Sequence, residues 1–373
     1  MTDVLLVLNT GSSSLKFQVF ARDSLDVLAQ GKVAGIGTGA RLTASVAQAG
    51  IDVDRPVTGN DHEAALSAVI DLIDRHDDGW KIAASVHRVV HGGAALVRPA
   101  IVTPAIMAQL RALAPLAPLH QPYNLAGIAA SERLAGHAPA VACFDTAFHA
   151  GRAEIHVTFA LERALRDRGI RRYGFHGLSY EWIARVLAER HPLLAKGRIV
   201  VGHLGNGASL CALRDGRSVD TTMGMTALDG LPMGTRCGAL DPGVVTFMIR
   251  ELGMDVGEVE HALYERSGLK GLSDISNDVE ALLRSGDPRA AFALDYFALK
   301  VAQHAAMMAV SLGGLDAFVF TGGIGEHASD VRKAVLERLS FLGGFESLVI
   351  AANEERMMAI HGRDLLKEGP WGT

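Results

Sequence analysis

The chain opens with two short apolar runs, residues 4–8 and 15–20, parted by Asn9, Thr10, Gly11, Ser12, Ser13 and Ser14. β-prone stretches bounded by small, turn-forming residues predict a hairpin with a polar, flexible tip. The pattern returns midway, at residues 199–204, the turn Gly205-Asn206-Gly207-Ala208, and residues 209–213. Asp215-Gly216 then offers a tight turn into residues 218–222. Each half of the chain thus begins with β-turn-β and carries Asn, Gly and Ser at the tip. Between the hairpins the apolar period becomes helical. Ala65, Leu66, Val69, Ile70 and Ile73 share a face of 62–76, and Trp182, Ile183, Val186 and Leu187 share one of 179–190. Both read as docking faces. A third helical repeat, 295–312, meets Gly313-Gly314, where a missing Cβ permits a left-handed terminating residue. A strand at 315–320 follows, then Thr321-Gly322-Gly323-Ile324-Gly325 and a helix from about Ser329. Hairpins followed by α/β units, given twice, predict a duplicated α/β architecture.

The length sharpens this picture, because a single core stops growing at about 250–300 residues and the chain has 373. Two domains are expected, and the cleft between them is the first place to seek chemistry. With 49% hydrophobic and 21% charged residues the composition is that of a soluble globular protein. Lys and Arg number 36 against 41 Asp and Glu, with no basic stripe, which argues against a nucleic-acid partner. Cys143, Cys211 and Cys237 form no Cys-x-x-Cys pair and cannot all pair with one another, which fits a reducing cytoplasm. The start lacks a positively charged region, and its apolar run is too short for a secretory signal. The longest other candidate, 305–315, falls well below the roughly 18 apolar residues of a membrane span. No targeting or membrane segment is expected.

Three glycine-rich turns follow strands, at 9–14, 205–208 and 322–325. Glycine lets a backbone come close to a phosphate and turn its N–H groups toward the anion. One such turn is commonly just a turn; three in one chain, two at equivalent hairpin tips, favour phosphate binding. The familiar nucleotide signatures are absent: neither Gly-x-x-x-x-Gly-Lys-Ser/Thr nor a complete Gly-x-Gly-x-x-Gly occurs. Asp145 follows the apolar run 140–144 and is expected at the carboxyl end of a strand, exposed and able to hold Mg²⁺, or else to serve as a helix cap or turn. Glu354, beside Glu355, is a second acid, whose plainer reading is a solvated pair on a surface helix. Arg88, in His87-Arg88-Val89-Val90-His91-Gly92-Gly93, either pairs with a carboxylate or awaits an anionic ligand. Arg236, in Met233-Gly234-Thr235-Arg236, poses the same question. Two such arginines suit a substrate bearing carboxylate and phosphate together. Of the fifteen histidines, His120, His176 and His203 are the best functional candidates, since an imidazole donates well to a phosphoryl oxygen. Without His-Glu-x-x-His or Gly-x-Ser-x-Gly, a zinc or serine hydrolase is disfavoured.

Taken in order, Asn9-Thr10-Gly11-Ser12-Ser13-Ser14-Leu15-Lys16, His87-Arg88-Val89-Val90-His91-Gly92-Gly93, Phe144-Asp145-Thr146-Ala147-Phe148-His149, Thr221-Thr222-Met223-Gly224, Met233-Gly234-Thr235-Arg236 and Thr321-Gly322-Gly323-Ile324-Gly325-Glu326 resemble the motif series of the acetate kinase family. The resemblance spans essentially the whole chain. It implies the duplicated ribonuclease H-like (actin-like ATPase) β-β-β-α-β-α-β-α fold with an interdomain cleft. The implied domains are 1–144 with about 356–373, binding acid and phosphate, and 145–355, binding nucleotide. The implied reaction is ATP plus acetate giving ADP and acetyl phosphate, reversibly, with Mg²⁺ or Mn²⁺, in a cytoplasmic homodimer. The resemblance assigns catalysis to Asp145, Arg88, Arg236 and His176. It assigns the acid to Arg88, Val90, Leu119, His120 and Phe175, and the metal to Asn9 and Glu354. Nucleotide and phosphate contacts go to Ser12, Ser14, Lys16, His203, Leu204, Gly205, Asn206, Gly207, Asp278, Gly323, Ile324, Gly325, Glu326 and His327.

Three positions depart from the family pattern. Ala227 stands where Pro is usual, next to the implied methyl pocket. Asp278-Val279-Glu280 replaces Asp-x-Arg, an anion for a cation, and His327 stands where Asn is usual. The preferred acid and phosphoryl donor are therefore open, with propionate or butyrate kinase as the nearest alternative. A nucleotide-binding regulator without chemistry is a more distant one.

Overall fold

Among the described residues, thirteen strands carry the fold, eight in one sheet and five in another. The computed structural model describes residues 2–47, 50–75, 79–118, 120–135 and 138–368. In the first sheet the strands are β1 (Thr2–Thr10), β2 (Ser14–Ala21), β3 (Val27–Ala34), β4 (Arg41–Val46), β5 (Ile51–Pro56), β6 (Trp80–Val89), β7 (Ala100–Ile101) and β8 (Ala140–Phe144). The second holds β9 (Arg198–Leu204), β10 (Ala208–Arg214), β11 (Arg217–Thr221), β12 (Ala317–Thr321) and β13 (Glu346–Val349). The chain divides into two units, Met1–Ala147 with Asn353–Thr373, and Phe148–Ala352.

The first sheet runs β5-β4-β3-β2-β1-β6-β8-β7, and the second β11-β10-β9-β12-β13. In each, an antiparallel three-strand meander is followed by two strands parallel to its first. The inner five strands of the first sheet therefore repeat the order of the second, which is the duplication predicted from the two hairpins. β4, β5 and β7 are additions. β4 and β5 alternate polar and apolar residues without an apolar run long enough to signal them.

Central strands are buried on both faces and read as unbroken apolar runs. Val4 to Leu8 in β1 are all fully buried. β2, covered on one face, alternates instead: Leu15, Phe17 and Val19 lie inside, while Lys16 is exposed. The helix His62–Arg75 packs Leu66, Val69 and Ile73 onto that face with Phe17 and Val19, as its period predicts. The helix Glu354–Glu368 returns to the first unit against β1 and β6. Gly362 permits this approach, since a Cβ there would stand 2.6 Å from Val86 Cγ2.

Two expectations need correction. The long helix of the second unit is Pro288–Leu312, beginning before residue 295 because Asp287 caps it by accepting from Arg289 N and Pro288 fills its first turn. It ends on Gly313 at φ 72°, as expected. The glycine run 322–325 is not an open turn. It forms the short helix Gly322–His327, entered through Gly322 at φ 78°.

Burial also fixes a charge state. His87, in β6, is 1% exposed, and its Nε2 meets Ser85 Oγ at 3.0 Å and Ser131 Oγ at 2.9 Å. Burial pushes its pKa from the ordinary 6.5 down to about 3. Above 6.5 the folded and unfolded chains are equally deprotonated there, so the group costs nothing. Below it the unfolded chain takes up a proton that the folded chain refuses, and stability falls as pH drops toward 3. Urea unfolding from pH 7 to pH 4.5 is expected to lose up to about 1.4 kcal/mol per pH unit from this residue. His87→Gln should flatten that slope by the same amount; an identical slope in the variant would refute the assignment.

Candidate active site

β6 and β8 run parallel, with Arg88 opposite Cys143 and Val89 opposite Phe144. Arg88 and Asp145 are thereby delivered side by side at the carboxyl ends of neighbouring strands, where ligands gather in open α/β sheets. Asp145 N donates to Val89 O at 3.1 Å. Arg88 Nε donates to Asp145 Oδ1 at 3.0 Å and Nη2 to Oδ2 at 2.7 Å, a two-pronged pair. Nη1 lies 3.1 Å from Oε2 of Glu354, the first residue of the terminal helix. Burial alone would lower the pKa of Arg88, but the charges of Asp145 and then Glu354 outweigh it and hold it raised.

These contacts decide between the readings left open by the sequence. Asp145 is not exposed: it is buried to 1%. Glu354 is not merely solvated, its side chain being 13% exposed and paired with Arg88. Both belong to the first unit, whereas the expected division at 144/145 and 355/356 assigned them to the second. A guanidinium has five N–H donors. The carboxylates engage three, leaving one on each Nη for a ligand. Mg²⁺ is commonly held through one or two carboxylates, the rest of its shell coming from water and substrate phosphate. The convergence of Asp145 and Glu354 fits that small protein share. Among the described residues no group of three or more His, Cys, Asp or Glu gathers as a fuller metal cage.

Residues that the sequence reading passed over hold the turn beyond Arg88. Asn124 Oδ1 accepts from Val90 N at 3.0 Å, while its Nδ2 donates to Thr10 O at 2.8 Å. Gln121 Oε1 accepts from His91 N, and its Nε2 donates back to His91 O. The available signal was a pair of amides on an otherwise apolar helix, Gln121–Leu134. His120 stands at the N-cap of that helix; Leu119 lies outside the described residues. Asn9 and Lys16 face each other across the β1–β2 hairpin, whose tip is closed by Gly11 N donating to Ser14 O and held by His62 Nε2 donating to Gly11 O. Ser12 is exposed at that tip.

In the second unit, His176 precedes the helix Gly177–Arg190 with φ 57°, the left-handed region. Its Nδ1 meets Ser209 Oγ at 2.9 Å, and Tyr180 Oη meets the same hydroxyl at 2.5 Å. Were Tyr180 to donate to Ser209 and Ser209 to Nδ1, the imidazole would carry its proton on Nε2. That atom would be 3.2 Å from a Cβ at Gly207, a position with no side chain, and Arg236 Nη1 would be 3.9 Å from the same point. His176, Gly207 and Arg236 thus form one cluster. His203 stacks on His176 at 4.4 Å and meets Ser179 Oγ through Nδ1 at 2.8 Å. Arg236 Nη1 donates to Ala227 O at 3.1 Å, so the departing residue Ala227 bears directly on this arginine. Phe175, beside His176, is buried.

A cavity of about 630 Å³ adjoins the turn Gly205-Asn206 and the helix Gly322–His327. Its wall includes Gly205, Asn206, Asp278, Gly323, Ile324 and His327, six of the fourteen residues expected to meet nucleotide or phosphate, together with Glu280. Asn277, Val279, Leu283 and Ala328 complete it. No Lys or Arg lines it among the described residues, and Glu280 pairs outward with Arg284. Three other expected residues lie off this wall. Glu326 is spent on structure, its Oε1 accepting from Gly322 N and Ala352 N at 2.9 Å each. Leu204 is fully buried, and Gly325 lies inside the short helix.

The model of the acetokinase family matches residues 4–362. The acetate kinase of Rhodopseudomonas palustris (strain CGA009) is 47% identical over 349 residues, covering 92% of this chain and 88% of its own. The crystal structure of Porphyromonas gingivalis acetate kinase superposes with a TM-score of 0.87 at 33% identity, covering 98% of this chain and 100% of that one. A propionate kinase from Francisella tularensis gives 0.90 at 32% identity, covering 96% and 98%.

The ion cluster yields a stability test. Arg88→Met strands the buried Asp145 carboxylate, and urea unfolding is expected to lose about 3–5 kcal/mol. Adding Asp145→Leu should restore most of it, because Glu354 can still reach solvent. A single variant as stable as the parent would contradict a buried, mutually dependent pair.

Proposed function

The chain belongs to the acetokinase family and is a kinase that phosphorylates a carboxylate; from that premise we propose that it does so by direct in-line displacement, with the acid held by the first unit and the nucleotide by the second. The reaction is that of acetate kinase: the γ-phosphoryl group of ATP passes reversibly to acetate, giving acetyl phosphate and ADP. A carboxylic acid is already ionised at neutral pH. No general base is needed, and the obstacle is repulsion between two anions.

In phosphoryl transfer the protein chiefly aligns the reactants and stabilises charge spread over three equatorial oxygens. Arg88 binds the acid carboxylate through the donors its own carboxylates leave over, with Val90 and His120 of the same unit as further acid contacts. Arg236 and the Nε2–H of His176 face the phosphoryl oxygens. The cluster of His176, Gly207 and Arg236 is the observation that carries this reading. The nucleoside occupies the cavity walled by Asp278, Glu280, Ile324 and His327, where hydroxyls find acceptors. Its phosphates extend along Gly205 to Gly207 and Gly323; Ser12, Ser14 and Lys16 are the first unit's candidates for phosphate contact. Mg²⁺, or Mn²⁺, when bound by Asp145, Glu354 and Asn9, would neutralise phosphate charge.

A homodimer is also proposed. The helix Pro242–Arg250 buries none of its residues, and Val244, Phe247 and Ile249 stand exposed beside Leu252 and Val256. A contiguous apolar surface of this kind suits a second copy of the chain. No helix among the described residues is long and apolar enough to cross a membrane; a cytoplasmic location follows the cysteine usage.

Propionate or butyrate kinase activity is the second reading, favoured by the propionate kinase neighbour. One methylene in an apolar pocket is worth only about 1–3 kcal/mol.

Hydroxylamine trapping decides between the two. With ATP, GTP and pyrophosphate offered in turn, acetate is expected to give hydroxamate with the highest kcat/KM, and Arg236→Ala to lower turnover about 10²–10³-fold. Propionate outpacing acetate would establish the second reading, and ADP binding without any hydroxamate would end both. The cavity is tested separately by Gly323→Val, since a Cβ at Gly323 meets no atom within 4 Å. The variant should fold normally yet bind ADP at least about tenfold more weakly, roughly 1.4 kcal/mol by calorimetry. Unchanged affinity would move the nucleotide elsewhere.

A further inference from the structure

His176 adopts a left-handed backbone conformation, φ 57° and ψ 23°, that a residue with a Cβ reaches only when its surroundings hold it there. The residues leading into it are pinned at nearly every polar backbone atom. Arg152, whose guanidinium is buried, donates from Nη2 to Arg172 O at 3.0 Å and to Tyr173 O at 2.7 Å, and from Nε to His149 O at 3.0 Å. His149 Nε2 lies 2.9 Å from Phe175 O. A carbonyl only accepts, so Nε2 carries the proton and Nδ1 accepts from Ser218 Oγ at 2.8 Å. Tyr173 N and Gly174 N both donate to Gly224 O, at 2.9 and 3.2 Å. Gly174, at φ 83°, packs against the imidazole; a Cβ there would lie 2.9 Å from His149 Cδ2.

We propose that His149 and Arg152 are positioning residues for the transfer step, fixing the backbone path from Arg172 to Phe175 so that the imidazole of His176 meets the phosphoryl group. The inference rests on the role given to His176 above. Two observations set the pair apart from ordinary packing. Arg152 Nη1 is buried without a hydrogen-bond partner, its nearest carboxylate, Asp220, being 3.9 Å away. A buried guanidinium satisfied mainly by carbonyls is destabilising in itself. What it gains is a rigid segment that ends on His176. His149 acts at the neighbouring carbonyl, and burial, with the nearby Arg152 charge, pushes its pKa down to about 3. It therefore stays neutral, and the polarity of its two hydrogen bonds is constant at any pH near neutrality.

The test is a kinetic cycle on the full chain with ATP and acetate, using His149→Ala, His149→Gln, His176→Ala and the double variant His149→Ala/His176→Ala. His149→Ala is expected to lower kcat about 10²-fold, as a misplacement of about 1 Å does, while KM for acetate and ADP affinity change less than about twofold. His149→Gln, whose amide N–H can reach Phe175 O, should recover at least about tenfold of the loss. In the His176→Ala background the same His149→Ala change should alter kcat less than about twofold. An equal loss in both backgrounds overturns the positioning role alone. Near-normal kcat in His176→Ala overturns it together with the role of His176. Should His149→Ala fail to fold, judged by ADP binding and thermal melting, Ser218→Ala removes the hydrogen bond to Nδ1, and with it the weaker contact of Cys211 Sγ on the same hydroxyl. It must then show a fall in kcat that vanishes in the His176→Ala background, and a fall that persists there would refute the proposal.

Discussion

A guanidinium shared by two carboxylates governs the chemistry available to the first unit. Removed from water singly, any one of Arg88, Asp145 and Glu354 would be destabilising; together they hold each other charged. The arrangement carries one positive and two negative charges, yet its arginine keeps donors directed away from its partners. An arginine so braced is oriented before any ligand arrives. It loses little side-chain entropy on binding, which is the form in which an electrostatic catalyst is most effective. Asp145 and Glu354 thereby fix the plane in which Arg88 presents its remaining hydrogens.

The topology explains how residues so far apart in sequence meet. β6 and β8 are parallel neighbours, so their carboxyl ends coincide, and the helix bearing Glu354 crosses back onto β1 and β6 because Gly362 lets it lie close to Val86. The second unit uses its copy of the same sheet differently. There the turn after β9 and the helix after β12 come together, with a Cβ position at Gly205 lying 4.0 Å from Gly323 N, and they open a hollow rather than an ion cluster. One strand order thus supports an anion-binding pair in one unit and a nucleoside-sized cavity in the other.

The hairpins, the duplicated order and the terminating Gly313 were legible in the sequence because each rests on a local rule: apolar runs, turn residues, a missing Cβ. Asp145 was correctly expected at a strand's end, since an apolar run of five residues before an acid is itself local. Its burial was not legible. That depends on Arg88, 57 positions away, and no single-sequence pattern pairs the two. Glu354 misled for the same reason, an acid beside an acid on a helix being indistinguishable from a solvated face until the helix is docked. Glu326 shows a second role that spacing does not reveal: its place in a glycine-rich motif suggests a ligand contact, and one oxygen of its carboxylate accepts from the backbone of Gly322 and Ala352. Asn124, Gln121 and Arg152 were missed because their work is done on backbone carbonyls and amides, which leave no trace in residue spacing.

Charge distribution in the second unit sets which end of a nucleotide goes where. The cavity wall bears Asp278 and Glu280 and no cation among the described residues, so a polyphosphate placed there would meet like charge. Sugar hydroxyls and an exocyclic amine would instead find acceptors beside the apolar Val279, Leu283 and Ile324. The cationic side of the unit is the cluster of Arg236 and His176 around Gly207, reached along the glycine turn that borders the cavity. On the proposed function, a nucleotide would enter with one polarity, nucleoside toward the acids and phosphates toward the arginine. On that same reading Glu280 adds to the polarity, an anion at the nucleoside end where the resemblance implies a cation.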